Sequence, residues 1–189
     1  MTAVAVADQA IERFIARWQG LQGGRERANY ALFLIELAEA LGVERPAPSD
    51  SERRDYAFER TVTFRAPDGT ASTGFIDLYK KGCFVLEAKQ SRQKDGKKTV
   101  PGQADLFKAD EDNTNLGRRT ADRNWDVLML NARRQAEDYA KALEPSEGWP
   151  PFLIVCDVGH CFEVFADFTG QGKNYQQIRG KRCNLRQRN

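Results

Sequence analysis

The sequence predicts an α/β protein, with helices flanking a central mixed sheet built on an αβββαβ core. Three observations carry this reading. Apolar residues recur at helical spacing in the first forty residues and again over 125–143. Three short strand-like runs with turn signals lie between those helical segments. Two further strand-like runs follow the later helix, which therefore crosses over and brings a strand parallel to an earlier one.

Taken in order, Ile11, Phe14, Ile15 and Trp18 mark one face of a first helix, which "GLQGG" breaks. A second helix is expected from about Arg25 to Leu41, with Gly42 placed as a C-cap. The connector "VERPAPSDSERR" is polar and carries prolines. "YAFERTVTF" reads as a strand and "APDGT" as its hairpin turn. "GFIDLYKKGCFVLEAKQ", residues 74–90, supplies two more strands around Lys-Lys-Gly. Residues 91–123 are polar and highly charged, and a loop of that length is usually functional or disordered. A third helix spans about Trp125 to Leu143 and stops at "EPSEGWPP". "FLIVCDV" and "CFEVFADF", joined at Gly159, are the last clear strands. The expected organisation is an N-terminal helix (1–24), a main domain (25–170) and a basic tail or linker start (171–189).

Composition narrows the functional classes. The 189 residues suffice for one domain with a core that needs no staples. No apolar run approaches membrane-spanning length, and the N-terminus lacks a signal-peptide pattern. Cys83, Cys156, Cys161 and Cys183 form no CxxC pair, as expected of reduced thiols in a cytoplasmic protein. After Phe168 the chain holds Lys173, Arg179, Lys181, Arg182, Arg186 and Arg188 and no acid. Such a tail either contacts phosphates or is simply solvated. His160 is the single histidine, which excludes histidine-rich metal sites and paired-histidine phosphodiesterases. Walker, dinucleotide-binding and GxSxG patterns are absent.

The hairpin at 74–90 carries the chemistry. Asp77 lies five residues before Gly82 and Glu87 five after it, so an antiparallel hairpin sets them face to face with Cβ atoms roughly 5 Å apart. Period-two alternation puts Lys89 on the face of Glu87. Burying such charges is costly unless they are paired or bound to a metal. Two carboxylates on rigid strands, with the Ala88 carbonyl, make a hard-oxygen site suited to Mg²⁺. Lys89 would orient or deprotonate a water and neutralise charge on a phosphate. A bare Glu-x-Lys occurs about once by chance in a chain this long. The plain alternative is a structural ion pair near a strand end.

"GFID", nine residues and "EAK" resemble the core of the PD-(D/E)XK phosphodiesterase superfamily, with Ile76-Asp77 where Pro-Asp often stands. "QAEDYA" sets Gln135 and Tyr139 one helical turn apart and resembles the Gln-xxx-Tyr motif of its RecB-like branch. More narrowly, "DLYKKGCFVLEAKQS", "RRQAEDYAKAL" and "PPFLIVCDVG" together resemble the N-terminal endonuclease region of MmeI-like (type IIL) restriction-modification enzymes, over roughly Arg25 to Phe168. The resemblance implies a restriction-endonuclease-like fold and Mg²⁺-dependent cleavage of double-stranded DNA, with Mn²⁺ substituting. It carries over Asp77, Glu87 and Lys89 as the catalytic set, with Gln90 beside them. It also implies an acid from an early helix, for which Glu26 is favoured over Glu36, with Glu59 on the first strand a third candidate. No Asn/Asp-Pro-Pro-Tyr/Phe tetrapeptide occurs, so methyltransferase and target-recognition parts are expected in other domains or subunits. Double-strand cleavage would call for two active sites, hence a homodimer on DNA.

Two competing readings stand beside this one. The first is a catalytically silent nucleic-acid-binding or interaction module on the same fold. The second is an exonuclease or an enzyme acting on single strands.

Overall fold

The computed structural model describes residues 3–19, 26–47, 55–90, 92–94, 97–99, 114–170 and 174–178. Helices α1 (Ala3–Trp18) and α2 (Glu26–Leu41) come first. Strands β1 (Tyr56–Arg65), β2 (Ala71–Lys80) and β3 (Phe84–Lys89) follow, then the short pair β4 (Arg92–Lys94) and β5 (Lys97–Thr99). Helix α3 (Thr114–Ala142) crosses over to β6 (Phe152–Asp157), β7 (Cys161–Ala166) and β8 (Gln176–Gln177).

Six strands form one sheet in the order β1-β2-β3-β6-β7-β8. All neighbours are antiparallel except β3 and β6, which α3 connects in parallel. This is the mixed sheet with one crossover expected from the sequence. β3 therefore sits inside the sheet, between β2 and β6. Its run "FVLEAK" is buried on both faces, as an interior strand must be.

Two apolar layers cover the sheet. On one face α3 contributes Trp125, Met129, Ala132, Ala136 and Tyr139, packed on Ile76, Tyr79, Val85, Leu153 and Val155. On the other, Phe14 and Trp18 of α1 and Phe33 and Leu34 of α2 pack on Phe58, Leu78, Leu86 and Cys156. Phe33 is fully buried between the rings of Phe14, Trp18 and Phe162. Full burial of a side chain like Phe33 or Leu153 stabilises the fold by about 1.5–3 kcal/mol. Helix α1 thus packs into the core layer on that face of the sheet.

A polar staple ties the exit of α3 to the sheet. Glu147, in a 3-10 turn after α3, accepts 2.7 Å hydrogen bonds from the Arg60 guanidinium and the Tyr79 hydroxyl. Burial, then Glu147, pushes the Tyr79 hydroxyl well above its usual pKa.

Some elements differ from expectation. α3 begins at Thr114 rather than Trp125. The stretch before Trp125 has helix-forming alanine and arginine but no apolar period to reveal it. The segment 91–123 also contains the β4–β5 pair, while residues 101–113 lie outside the described residues. Within the segment read as a tail, β8 pairs with β7 and Tyr175 is buried, its hydroxyl donating to the Pro150 carbonyl at 2.6 Å. A two-residue strand is too short to show periodicity. The six tail cations themselves lie outside the described residues. Cys83, Cys156 and Cys161 are free thiols. No described helix is long and apolar enough to cross a membrane.

Candidate active site

The β2–β3 hairpin adopts the register that the spacing around Gly82 predicts. Lys80 pairs with Phe84, Tyr79 with Val85 and Leu78 with Leu86. Gly82 sits in the turn with φ +64°, a left-handed conformation that favours glycine. The next pair in this register is Asp77 and Glu87, where the ladder ends. There Asp77 Oδ2 accepts the Ala88 backbone N–H at 2.7 Å, a carboxylate standing in for a strand partner. Lys89 O accepts a bond from Val158 N on the β6 side. Backbone groups alternate sides along a strand, so Ala88 turns its N–H and its carbonyl toward β2 and Asp77.

Glu87 and Lys89 share the face covered by α3. Glu87 is 2% exposed, so its charge must be offset locally. Lys89 Nζ lies 2.5 Å from Glu87 Oε1 and 3.3 Å from Gln135 Oε1. Gln135 in turn donates Nε2 to the Tyr139 hydroxyl at 2.8 Å. One chain of contacts thus runs from Glu87 through Lys89 and Gln135 to Tyr139, joining the central strand to α3. Burial raises the pKa of Tyr139, and the Gln135 bond opposes that shift. The charges of Glu87 and Asp77 raise it further. The Glu87–Lys89 pair alone would suit a structural salt bridge. Beside it stand the second carboxylate across the hairpin and the α3 contacts.

The three candidate glutamates fare differently. Glu26 opens α2, and its side chain lies outside the described residues. One turn later Asn29 Nδ2 reaches Gln90 Oε1 at 3.5 Å, so this end of α2 borders the strand that carries Lys89. Glu36 is engaged elsewhere: it accepts the Trp18 indole N–H at 2.8 Å and pairs with Arg17 at 3.1 Å. Its interruption of "LFLIELAEAL" therefore has a structural cause. Glu59 accepts a short hydrogen bond from the Tyr30 hydroxyl.

Sequence reasoning passed over Asp157. It is 1% exposed, stands beside Lys89 in the β3–β6 register, and accepts the Trp125 indole N–H at 2.8 Å. The signal was available: an acid inside the apolar run "FLIVCDV", the same anomaly that singled out Asp77.

The donor set fits a hard divalent cation in kind. It offers two carboxylates and a backbone carbonyl at the end of rigid strands, beside one ammonium. Among the described residues no group of three or more His, Cys, Asp or Glu is arranged to hold a metal. Any further ligand would come from a backbone carbonyl, a water or a residue outside that set.

A family model for the MmeI N-terminal domain matches residues 6–186. Neither the curated proteins nor the solved structures yield a match.

Proposed function

This chain belongs to the MmeI N-terminal domain family, a family tied by its name to a restriction enzyme, and on that premise we propose that it is a Mg²⁺-dependent endodeoxyribonuclease domain acting on double-stranded DNA. The observation that carries the proposal is the end of the β2–β3 ladder. Asp77 and Glu87 stand opposite each other there, with Lys89 bonded to Glu87 on the α3 face.

In this reading Asp77, Glu87 and the Ala88 carbonyl hold the ion, and Mn²⁺ can replace Mg²⁺. The ion supplies Lewis-acid stabilisation of charge developing on the phosphate. Lys89 orients the attacking water and neutralises phosphate charge with its ammonium. Gln135, held by Tyr139, fixes the Lys89 amine against Glu87. Glu26, at the start of α2, is the candidate for the early-helix acid that the family resemblance implies. Water gives up a proton to solvent as it adds to phosphorus, the bond to the leaving sugar oxygen breaks, and that oxygen takes a proton from solvent. Methylation and target recognition fall to other parts of a larger restriction-modification protein. The isolated domain cuts with little base specificity, and two copies on DNA account for double-strand cleavage.

Asp77 and Glu87 accept from the Ala88 N–H and the Lys89 ammonium, which also suits one alternative, a silent nucleic-acid-binding module on the same fold. Supercoiled-plasmid cleavage with Mg²⁺ and Mn²⁺, beside Lys89→Ala, separates the two. Metal-dependent nicking that disappears in the variant supports the nuclease. Absence of both nicking and calorimetric Mn²⁺ binding by the parent chain supports the silent module.

A further inference from the structure

Glu59 is the one non-glycine with positive φ among the described residues, at +50°. That is the left-handed region, which costs a side-chain-bearing residue free energy and persists only where the surroundings hold it. Its position in the sheet is informative. Phe58 pairs with Leu78 and Arg60 with Ile76, so Glu59 stands opposite Asp77, at the one interior position of β1 without a ladder partner.

Both strands lose their alternation at this point. In a regular pleat, residues two apart share a face. On β1, Phe58 packs under α1 and α2, whereas Val62 packs under α3 and Arg60 bonds to Glu147 beside Tyr79 on that same face. On β2, Leu78 packs under α1 and α2, whereas Ile76 packs under α3. Each strand therefore rolls over within a single residue, Glu59 on one and Asp77 on the other. At the roll the Asp77 side chain leaves the sheet face for the sheet plane, where Oδ2 reaches the Ala88 N–H of β3. The Tyr30 hydroxyl of α2 holds Glu59 in place.

We infer that Glu59 is a positioning residue for the candidate site: its left-handed backbone, pinned by Tyr30, rolls β1 and β2 together and so turns Asp77 onto Ala88. Glu59 works by shape, and its carboxylate serves Tyr30 rather than a cation. The inference rests on the nuclease reading only in giving Asp77 a metal to hold, since the Asp77–Ala88 bond exists without one.

The test follows amide hydrogen exchange at Ala88 in the parent chain, Glu59→Asn and Glu59→Val. Asparagine tolerates left-handed φ and valine does not. Ala88 exchange in Glu59→Asn should lie between the parent and Glu59→Val, because asparagine keeps the left-handed φ but is too short to hold the Tyr30 bond in full. It should be about tenfold faster in Glu59→Val, with Val85 and Leu86 unchanged. Mn²⁺ affinity, titrated with the metal alone, should fall in the same order. If Glu59→Val does not fold, Tyr30→Phe replaces it and should loosen Ala88 in the same direction. Parent-like exchange at Ala88 in Glu59→Val overturns the inference, or in Tyr30→Phe where that variant replaces it. So does a Glu59→Asn variant that frees Ala88 as much as valine does. A parent chain that neither nicks DNA nor binds Mn²⁺, yet shows the predicted exchange pattern, would sink the nuclease reading and leave the positioning role standing.

Discussion

Adding a single methyl group at Gly74 should disturb the candidate site through Tyr139. Gly74 is not among the positive-φ glycines, so alanine meets no backbone obstacle there. The obstacle is space. A Cβ at this position would stand 2.7 Å from Phe64 Cε2 and 2.7 Å from Tyr139 Cε1. Carbon atoms in ordinary contact keep about 3.5–4.0 Å, so a ring must retreat by roughly 1 Å. Phe64 and Tyr139 pack against each other with centroids 5.8 Å apart, and Tyr139 is buried and tethered to Gln135. Overpacking of this kind costs about 1–3 kcal/mol. Because Gln135 also contacts Lys89, a shift near 1 Å passed along that chain should slow cleavage about tenfold to a hundredfold. Urea denaturation measures the first effect and metal-dependent plasmid nicking the second. Trimming the neighbour in Gly74→Ala/Phe64→Leu should recover part of the loss, a non-additivity of about 0.5–3 kcal/mol. A Gly74→Ala protein within about 0.5 kcal/mol of the parent, cutting at the parent rate, would refute the close packing of Tyr139 on β2.

Three further outcomes are expected. Trp125→Phe removes the indole donor to the buried Asp157 and should lower the free energy of unfolding by about 1–3 kcal/mol; an unchanged urea midpoint would contradict this. Glu36→Ala withdraws the acceptor of the Trp18 indole and should cost about 1–3 kcal/mol while leaving nicking per folded molecule unchanged; a selective loss of nicking would return Glu36 to the site. Stability should also decline as pH rises from about 9 toward 12. Burial first, then Asp157, holds the Cys156 thiol well above its reference value of 9.0, and burial first pushes the Tyr175 hydroxyl up to about 12. Both groups keep their protons in the fold and lose them more readily when unfolded, so base favours unfolding across that window. Urea midpoints at pH 8, 10 and 11 that stay level or rise would contradict the assignment.

The sequence by itself determined the local patterns. Apolar residues at helical spacing place α1 and α2, and symmetric spacing about Gly82 places Asp77 opposite Glu87, because hairpin register follows from the turn. Period two puts Lys89 beside Glu87, and helical spacing brings Gln135 to Tyr139. A crossover helix also calls for a strand parallel to an earlier one, without saying which. The helix, hairpin and motif readings depend on residues close in the chain. Only the tertiary structure decided the rest. Glu36 and Glu59 look alike as acids in apolar surroundings, yet one answers Trp18 of α1 and the other answers Tyr30 of α2. Asp157 joins the neighbourhood of Lys89 through a strand far along the chain. The start of α3 and the two-residue β8 had no apolar period to announce them. The roll at Glu59 and Asp77 is least visible of all: it is a backbone conformation imposed by packing on both faces of the sheet at once, and no local pattern of residue types encodes it.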